Sequence, residues 1–270
     1  MTIFSPLGGG LDARTVKKDW ILLFKEGMPE KTYLQHEKEI REIFGFFTDE
    51  KSKDILFSVM RCRCGKEHLL SELWSDDMYY PAEIEERLTS SEVFCDCGAY
   101  TGDTIEEFIE KTCNEYEGIY GFELDAGNFK KMSVNARLRD PRISLYPFGI
   151  GKSNGEVMYA SCGGMGSSYK VFAGKESRGQ IRTLDGLRQE GTLTKKITYV
   201  KMDIEGAELD ALQGMESILR DSRPKLAICL YHRIEDLWTI PRYLKEIVPS
   251  YRLMLRHHSP SMQETVLYAL

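Results

Sequence analysis

Apolar positions follow two different rhythms along this chain, and the change falls near residue 90. Before it, the spacing is helical. Val16, Trp20, Leu23 and Phe24 share one face of a segment from Asp12 to Lys25. Ile40, Ile43, Phe44 and Phe47 do the same from Tyr33 to Phe47. Thr48 is the expected cap of a third helix, with Lys51 where a capping box would carry an acid. That helix carries Ile55, Leu56, Val59 and Met60 and should stop near Gly65. Pro81 in "MYYPAEI" then breaks the pattern, because it pushes Tyr80 towards an extended conformation.

From Ser91 short apolar runs alternate with amphipathic ones. Strands are expected at 93–97, 118–122, 143–148, 197–204 and 225–231, and helices at 103–113, 126–138, 207–219 and 240–247. Strand, helix, strand, repeated, predicts a mostly parallel sheet with helices on both faces. "SYRLMLRHH" and "ETVLYAL" read as a closing antiparallel hairpin at the sheet edge. Residues 151–191 form an insertion with two added strands around the glycine-rich "SCGGMGSSYK", a candidate lid or an ordinary turn. The expected fold is α/β, a Rossmann-like doubly wound, mostly parallel seven-stranded sheet at 91–270. A helical N-terminal extension at 1–90 would cap the cleft or form a dimer surface.

Composition narrows the class. The chain has 270 residues, 42% hydrophobic and 29% charged, as globular domains do. No apolar stretch is long enough to span a membrane, and the N-terminus lacks the pattern of a secretory signal. A net charge of -6 argues against a general nucleic-acid or anionic-membrane surface. Seven cysteines without an export signal fit reduced thiols and a cytoplasmic location. Cys62 and Cys64, with His68 nearby, lack the spacing of a zinc site, and Cys95 and Cys97 read as small core residues.

"VFCDCGAYTGDT", from Val93 to Thr104, carries the first candidate chemistry. A glycine loop between the first strand and its helix sits where open parallel sheets bind ligands. The candidate cofactor residues are Asp96, Gly98, Ala99, Tyr100, Gly102 and Thr104. Asp96 could bond to loop amides or to a ligand ammonium. Glu123, 21 residues beyond Gly102, ends the second strand and is placed to accept ribose hydroxyls. The spacing is G-x-x-x-G, not the dinucleotide G-x-G-x-x-G. Asp103, Glu106 and Glu107 also put negative charge where a pyrophosphate would sit. That chemistry favours S-adenosylmethionine over NAD.

"YVKMDIEGAELDAL" carries the second. Lys201, Asp203 and Glu205 alternate on one face of an apolar strand, and charges there must be paired or functional. Asp203 should reach the sheet edge beside the glycine loop, where it is a further candidate cofactor residue, and Glu208 sits in the next helix's first turn.

Together "EVFCDCGAYTGDT", "YGFELD", "LDGL" and "VKMDIEGAELDALQG" resemble, in order and spacing, the FkbM-type family of S-adenosylmethionine-dependent methyltransferases. The resemblance covers about Ser91 to Leu270. "RPKLAICLYHRIEDLWTIP" and "LRHHS...ETVLYA" resemble a bacterial subgroup. The resemblance implies O-methylation of a hydroxyl on a sugar, glycan or small metabolite. Many members carry a glutamate near the end of the fifth strand, where this chain reads Cys229, Leu230, Tyr231, His232.

The candidate catalytic residues are therefore His232, Asp203 and Glu205, with His232 either the base for the acceptor hydroxyl or a bonded, inert structural histidine. A divalent ion on Asp203, Glu205 and His232 is the less favoured arrangement. His257 and His258 lie on the hairpin, and strand alternation should turn one to solvent. The competing functions are an NAD-dependent oxidoreductase and a cofactor-binding module without turnover. The expected partners are a small-molecule or glycan acceptor and a second copy of the chain in a homodimer.

Overall fold

The computed structural model describes residues 28–66, 69–160 and 176–270. The helix expected over 12–25, His68 and the glycine-rich segment 161–170 lie outside them. The helix expected over 33–47 is two helices, α1 (Met28–Gln35) and α2 (Glu37–Phe44), parted at His36, whose ring stacks on Trp238 at 4.9 Å. The cap of α3 (Glu50–Arg63) falls on Asp49 and not on Thr48. The Asp49 carboxylate accepts both the amide (2.9 Å) and the hydroxyl (2.6 Å) of Ser52, satisfying a free N-terminal amide. Short helices α4 (Leu70–Leu73) and α5 (Ala82–Glu85) lead to the sheet domain.

The domain then runs β1 (Val93–Cys97), α6 (Asp103–Lys111), β2 (Gly118–Phe122), α7 (Ala126–Val134), β3 (Ile143–Tyr146), β4 (Gly149–Ile150), β5 (Gly155–Ala160) and β6 (Glu176–Arg182). It continues with α8 (Leu184–Gln189), β7 (Tyr199–Met202), α9 (Glu208–Gln213), α10 (Glu216–Ser222), β8 (Lys225–Cys229), α11 (Asp236–Ile247), β9 (Leu253–His257) and β10 (Thr265–Ala269). Seven strands form one sheet in the order β3-β2-β1-β7-β8-β10-β9, parallel through β8 and antiparallel at the β9–β10 hairpin. β4, β6 and β5 form a second, smaller sheet.

Alternation along buried strands feeds two cores. Cys95, Cys97, Val200, Met202, Leu226 and Ile228 face one layer, which also takes Tyr33, Ile40, Ile55 and Leu56 from the N-terminal helices. Phe94, Tyr199, Ala227, Cys229 and Tyr268 face the other. Cys95 and Cys97 are fully buried side by side, as small core residues.

The helix expected over 207–219 is interrupted at Gly214. A side chain there would put its Cβ 2.1 Å from the Gly151 carbonyl oxygen. Asp185 of "LDGL" then caps α10, accepting the amides of Ser217 (2.8 Å) and Ile218 (3.0 Å).

Both hairpin histidines are buried, contrary to the expected alternation. The N-terminal segment covers the face that would have met solvent. His258 Nδ1 lies 2.9 Å from the Ser75 carbonyl, and its Nε2 lies 2.9 Å from the Tyr268 hydroxyl. His257 bonds to Thr265 and Ser261. At the outer edge, α3 lies against β9. Ser52 Oγ, whose proton goes to Asp49, accepts the Leu255 amide (2.9 Å).

Candidate active site

The loop after β1 is built around positive φ at Gly98 (82°), Tyr100 (47°) and Gly102 (91°). Glycine is required at Gly98, since a Cβ would stand 2.0 Å from the Asp203 carbonyl oxygen. The loop is pinned to β2: the amides of Gly98 and Ala99 both donate to the Phe122 carbonyl at 2.9 Å. Glu123 completes the clasp, accepting the amides of Tyr100 (2.8 Å) and Asp125 (2.7 Å). Burial pushes its carboxyl up to about 7, against those two amides, which pull it down.

Asp96 and Lys201 are both buried and face each other across β1 and β7 at 3.0 Å. Burial raises the Asp96 carboxyl, and Lys201 opposes the rise. Burial would lower the Lys201 ammonium, but Asp96 and Asp203 outweigh it and the net shift is upward. Lys201 also donates to the Gly98 carbonyl at 2.7 Å, tying the charged pair to the loop. Asp96 is thus fully buried beside the loop and paired with Lys201.

β7 stops at Met202. Glu205 (φ 58°) and Gly206 (φ 95°) turn the chain, so Lys201, Asp203 and Glu205 do not alternate along one strand as the sequence suggested. The turn still brings Asp203 and Glu205 to the same wall. Asp203 accepts the Tyr79 hydroxyl at 3.0 Å and the Tyr231 hydroxyl at 2.9 and 3.0 Å.

His232 stands behind them. Its Nε2 is 3.3 Å from Asp203 Oδ1 and 3.6 Å from Glu205 Oε2, and its Nδ1 is 2.9 Å from Glu208 Oε1. The Nδ1 contact is close but off the line of a hydrogen bond. Burial would lower the imidazole pKa, yet Glu208, Asp203 and Glu205 raise it overall. Burial also raises the Glu205 carboxyl, while His232 opposes that rise.

These groups surround a cavity of about 430 Å³. Gly98, Tyr100, Asp103, Thr104 and Glu123 line it from the glycine loop, the start of α6 and the end of β2, and Lys201, Asp203, Glu205, Tyr231, Tyr79 and Glu264 also line it. Of the residues expected at the site, Asp96, Ala99, Gly102 and His232 are not among its described lining. Ala99 is fully buried, and Gly102 packs under Leu138, where a Cβ would stand 2.4 Å from that side chain.

The comparisons follow this geometry. The model of the FkbM methyltransferase domain matches residues 96–255. The chain belongs to this family. Its members are methyltransferases with S-adenosylmethionine as cofactor, which sets aside the oxidoreductase alternative. The crystal structure of the FkbM methyltransferase from Methylobacillus flagellatus KT is similar, with 25% identity and a TM-score of 0.73. The match covers 89% of this chain and 60% of that one, so this chain spans about three-fifths of that protein's length. Aeropyrum pernix fibrillarin, with natively bound S-adenosyl-L-methionine, is 11% identical over 72% of this chain and 71% of its own, at a TM-score of 0.41. A putative methyltransferase from Streptococcus mutans, in complex with SAH, is 14% identical over 69% and 93%, at 0.40. No curated protein matches this chain.

Two residues of this FkbM-type site escaped the sequence reading. Tyr79 enters from the N-terminal segment in a left-handed conformation (φ 68°). Its amide accepts no freedom: it donates to the Tyr268 hydroxyl at 3.0 Å, and its carbonyl accepts the Tyr199 hydroxyl. Only the aromatic pair before Pro81 hinted at it. Tyr231 was read as the end of an apolar strand, although β8 already stops at Cys229.

Proposed function

We propose that this chain transfers the methyl group of S-adenosylmethionine to a hydroxyl of a sugar, glycan or small metabolite. The observation that carries the reading is the carboxylate pair Asp203 and Glu205, which line the same cavity as the glycine loop. An alcohol acceptor needs a group to take its proton as the carbon–oxygen bond forms and the carbon–sulfur bond breaks.

In this reading the ribose rests against Glu123 and the loop at Gly98 and Tyr100. The carboxylate of the cofactor's amino-acid end meets Lys201, because Asp96 is already paired beneath it. Asp203, held by two tyrosine hydroxyls, fixes the wall next to the acceptor. Glu205 takes the acceptor proton, since its carboxylate reaches the cavity and burial makes it more basic. His232 lies behind both acids and steadies them; it is a positioning residue and does not touch the acceptor. Holding oxygen in line with the departing sulfur supplies much of the acceleration.

Thermal melting tests the cofactor. S-adenosylhomocysteine at a hundred times its Kd adds about 2.7 kcal/mol, a midpoint rise of roughly 5 °C or more at this size. NAD should give no rise. Release of S-adenosylhomocysteine with hydroxylated sugars and metabolites then tests the acceptor. Turnover only with amine or thiol acceptors overturns the hydroxyl assignment.

A further inference from the structure

Behind the cavity wall, Asp203, Glu208 and His232 bring three donor atoms within 4.8 Å of one another. Donors bound to one divalent cation at about 2.0–2.2 Å lie about 3 Å apart when adjacent and about 4.4 Å apart when opposite. An ion takes one nitrogen of an imidazole: Nε2 of His232 lies 3.3 Å from Asp203 Oδ1, within that range, and the 2.9 Å contact to Glu208 Oε1 is made by the other nitrogen, Nδ1.

The cluster is also short of partners. Glu208 is fully buried, and its Oε2 has no hydrogen bond. His232 has a side chain only 9% exposed, and its Nδ1 has none either. Asp236, 3% exposed, adds one more orphaned carboxylate oxygen. Buried oxygens and ring nitrogens left so are costly, and a cation among them removes the cost. The outer brackets of such a site are in place. Two tyrosine hydroxyls hold Asp203, and the Ile204 amide donates to Glu208 Oε1 at 3.0 Å.

We propose that Asp203, Glu208 and His232 hold a divalent cation of the Mn²⁺ kind. One imidazole with two carboxylates is a mixed nitrogen–oxygen set suited to a first-row divalent ion. Asp203 both lines the cavity and belongs to the set, so the ion braces the wall on which the acceptor is read. The site adjoins the methyl-transfer cleft, and ion binding does not depend on that assignment.

The test uses the full chain, stripped with EDTA and titrated with MnCl₂ while free Mn²⁺ is followed by electron paramagnetic resonance. The expected result is one Mn²⁺ per chain and a higher melting midpoint with the ion. His232→Gln and Glu208→Gln should each weaken binding at least tenfold, while Asp210→Asn, an exposed acid on the same helix, leaves it unchanged. No stoichiometric binding by the wild type, or binding equally tight in both variants, overturns the site. Should both variants fail to fold, the wild-type melting rise with Mn²⁺ decides alone. S-adenosylhomocysteine melting in the same preparations separates the two readings. A shift with that ligand and no Mn²⁺ binding removes only the ion, and Mn²⁺ binding with no such shift removes only the methyl-transfer assignment.

Discussion

Tyr79 and Asp203 stand 124 residues apart in sequence and 3.0 Å apart at the cavity wall. The contact spans the N-terminal segment and the sheet domain. Tyr79→Phe removes the donor and keeps the ring that lies under Lys201, 5.3 Å from its Nζ. The expected outcome is a kcat about tenfold lower, about 1.4 kcal/mol, with the melting midpoint nearly unchanged. Steady-state kinetics beside calorimetry checks it. An equal loss in both would make Tyr79 a packing residue only.

Lys201 neutralises Asp96 in the sheet interior. Lys201→Met leaves a buried carboxylate alone and should cost about 3–5 kcal/mol. The double change Asp96→Asn with Lys201→Met should recover part of that loss, because no charge is then orphaned. Urea unfolding of the three proteins reads the difference. Absence of recovery would mean that Lys201 stabilises chiefly through the Gly98 carbonyl.

Two glycines with positive φ should respond differently to alanine. Gly65 has open space at its Cβ position, so Gly65→Ala pays only the left-handed backbone penalty, about 1–2 kcal/mol. Gly98→Ala pays it and also collides with the Asp203 backbone. It should lose S-adenosylhomocysteine binding altogether, as read by calorimetric titration.

Glu123 links stability to pH. Its folded carboxyl is raised from 4.5 to about 7, so the folded chain holds a proton that the unfolded chain has already released. The stabilisation is complete below about pH 4.5 and is lost as pH rises towards 7, up to about 3 kcal/mol. The ligand-free protein should therefore lose melting temperature across that window. Glu123→Gln should flatten that part of the slope, and an unchanged slope would assign it to other groups such as Asp236, also raised to about 7 by burial.

Much of the fold was legible because buried parallel strands are written as unbroken apolar runs. β1 and β2 fall where the sequence placed them, and the hairpin pairs as expected. The glycine loop and the turn at Gly206 were legible for the same reason: glycine marks backbone that other residues rarely adopt. What failed depended on contacts between distant segments. His257 and His258 follow strand alternation, but residues 75–80 cover the face that should have been wet. The partner of Asp96, Lys201 on the neighbouring strand, was not legible, because the two lie 105 residues apart in sequence and meet only in the sheet. Tyr79 sits where no periodicity applies, so only its three-dimensional neighbours reveal it.

The hydroxyl of Ser52 takes the outward amide of Leu255 at the outer strand of the sheet. An unprotected edge invites another strand to join, which is the first step of aggregation and of strand exchange between copies. Here segments from before the sheet fill the place of that visitor: Phe47 bridges to Leu253, Ser52 takes the Leu255 amide, and the Ser75 amide takes the His257 carbonyl. Self-association of this chain, where it occurs, must use helices or loops at this end of the molecule. Ser52→Ala would open one part of the edge, and the cost would appear as lost solubility rather than lost chemistry.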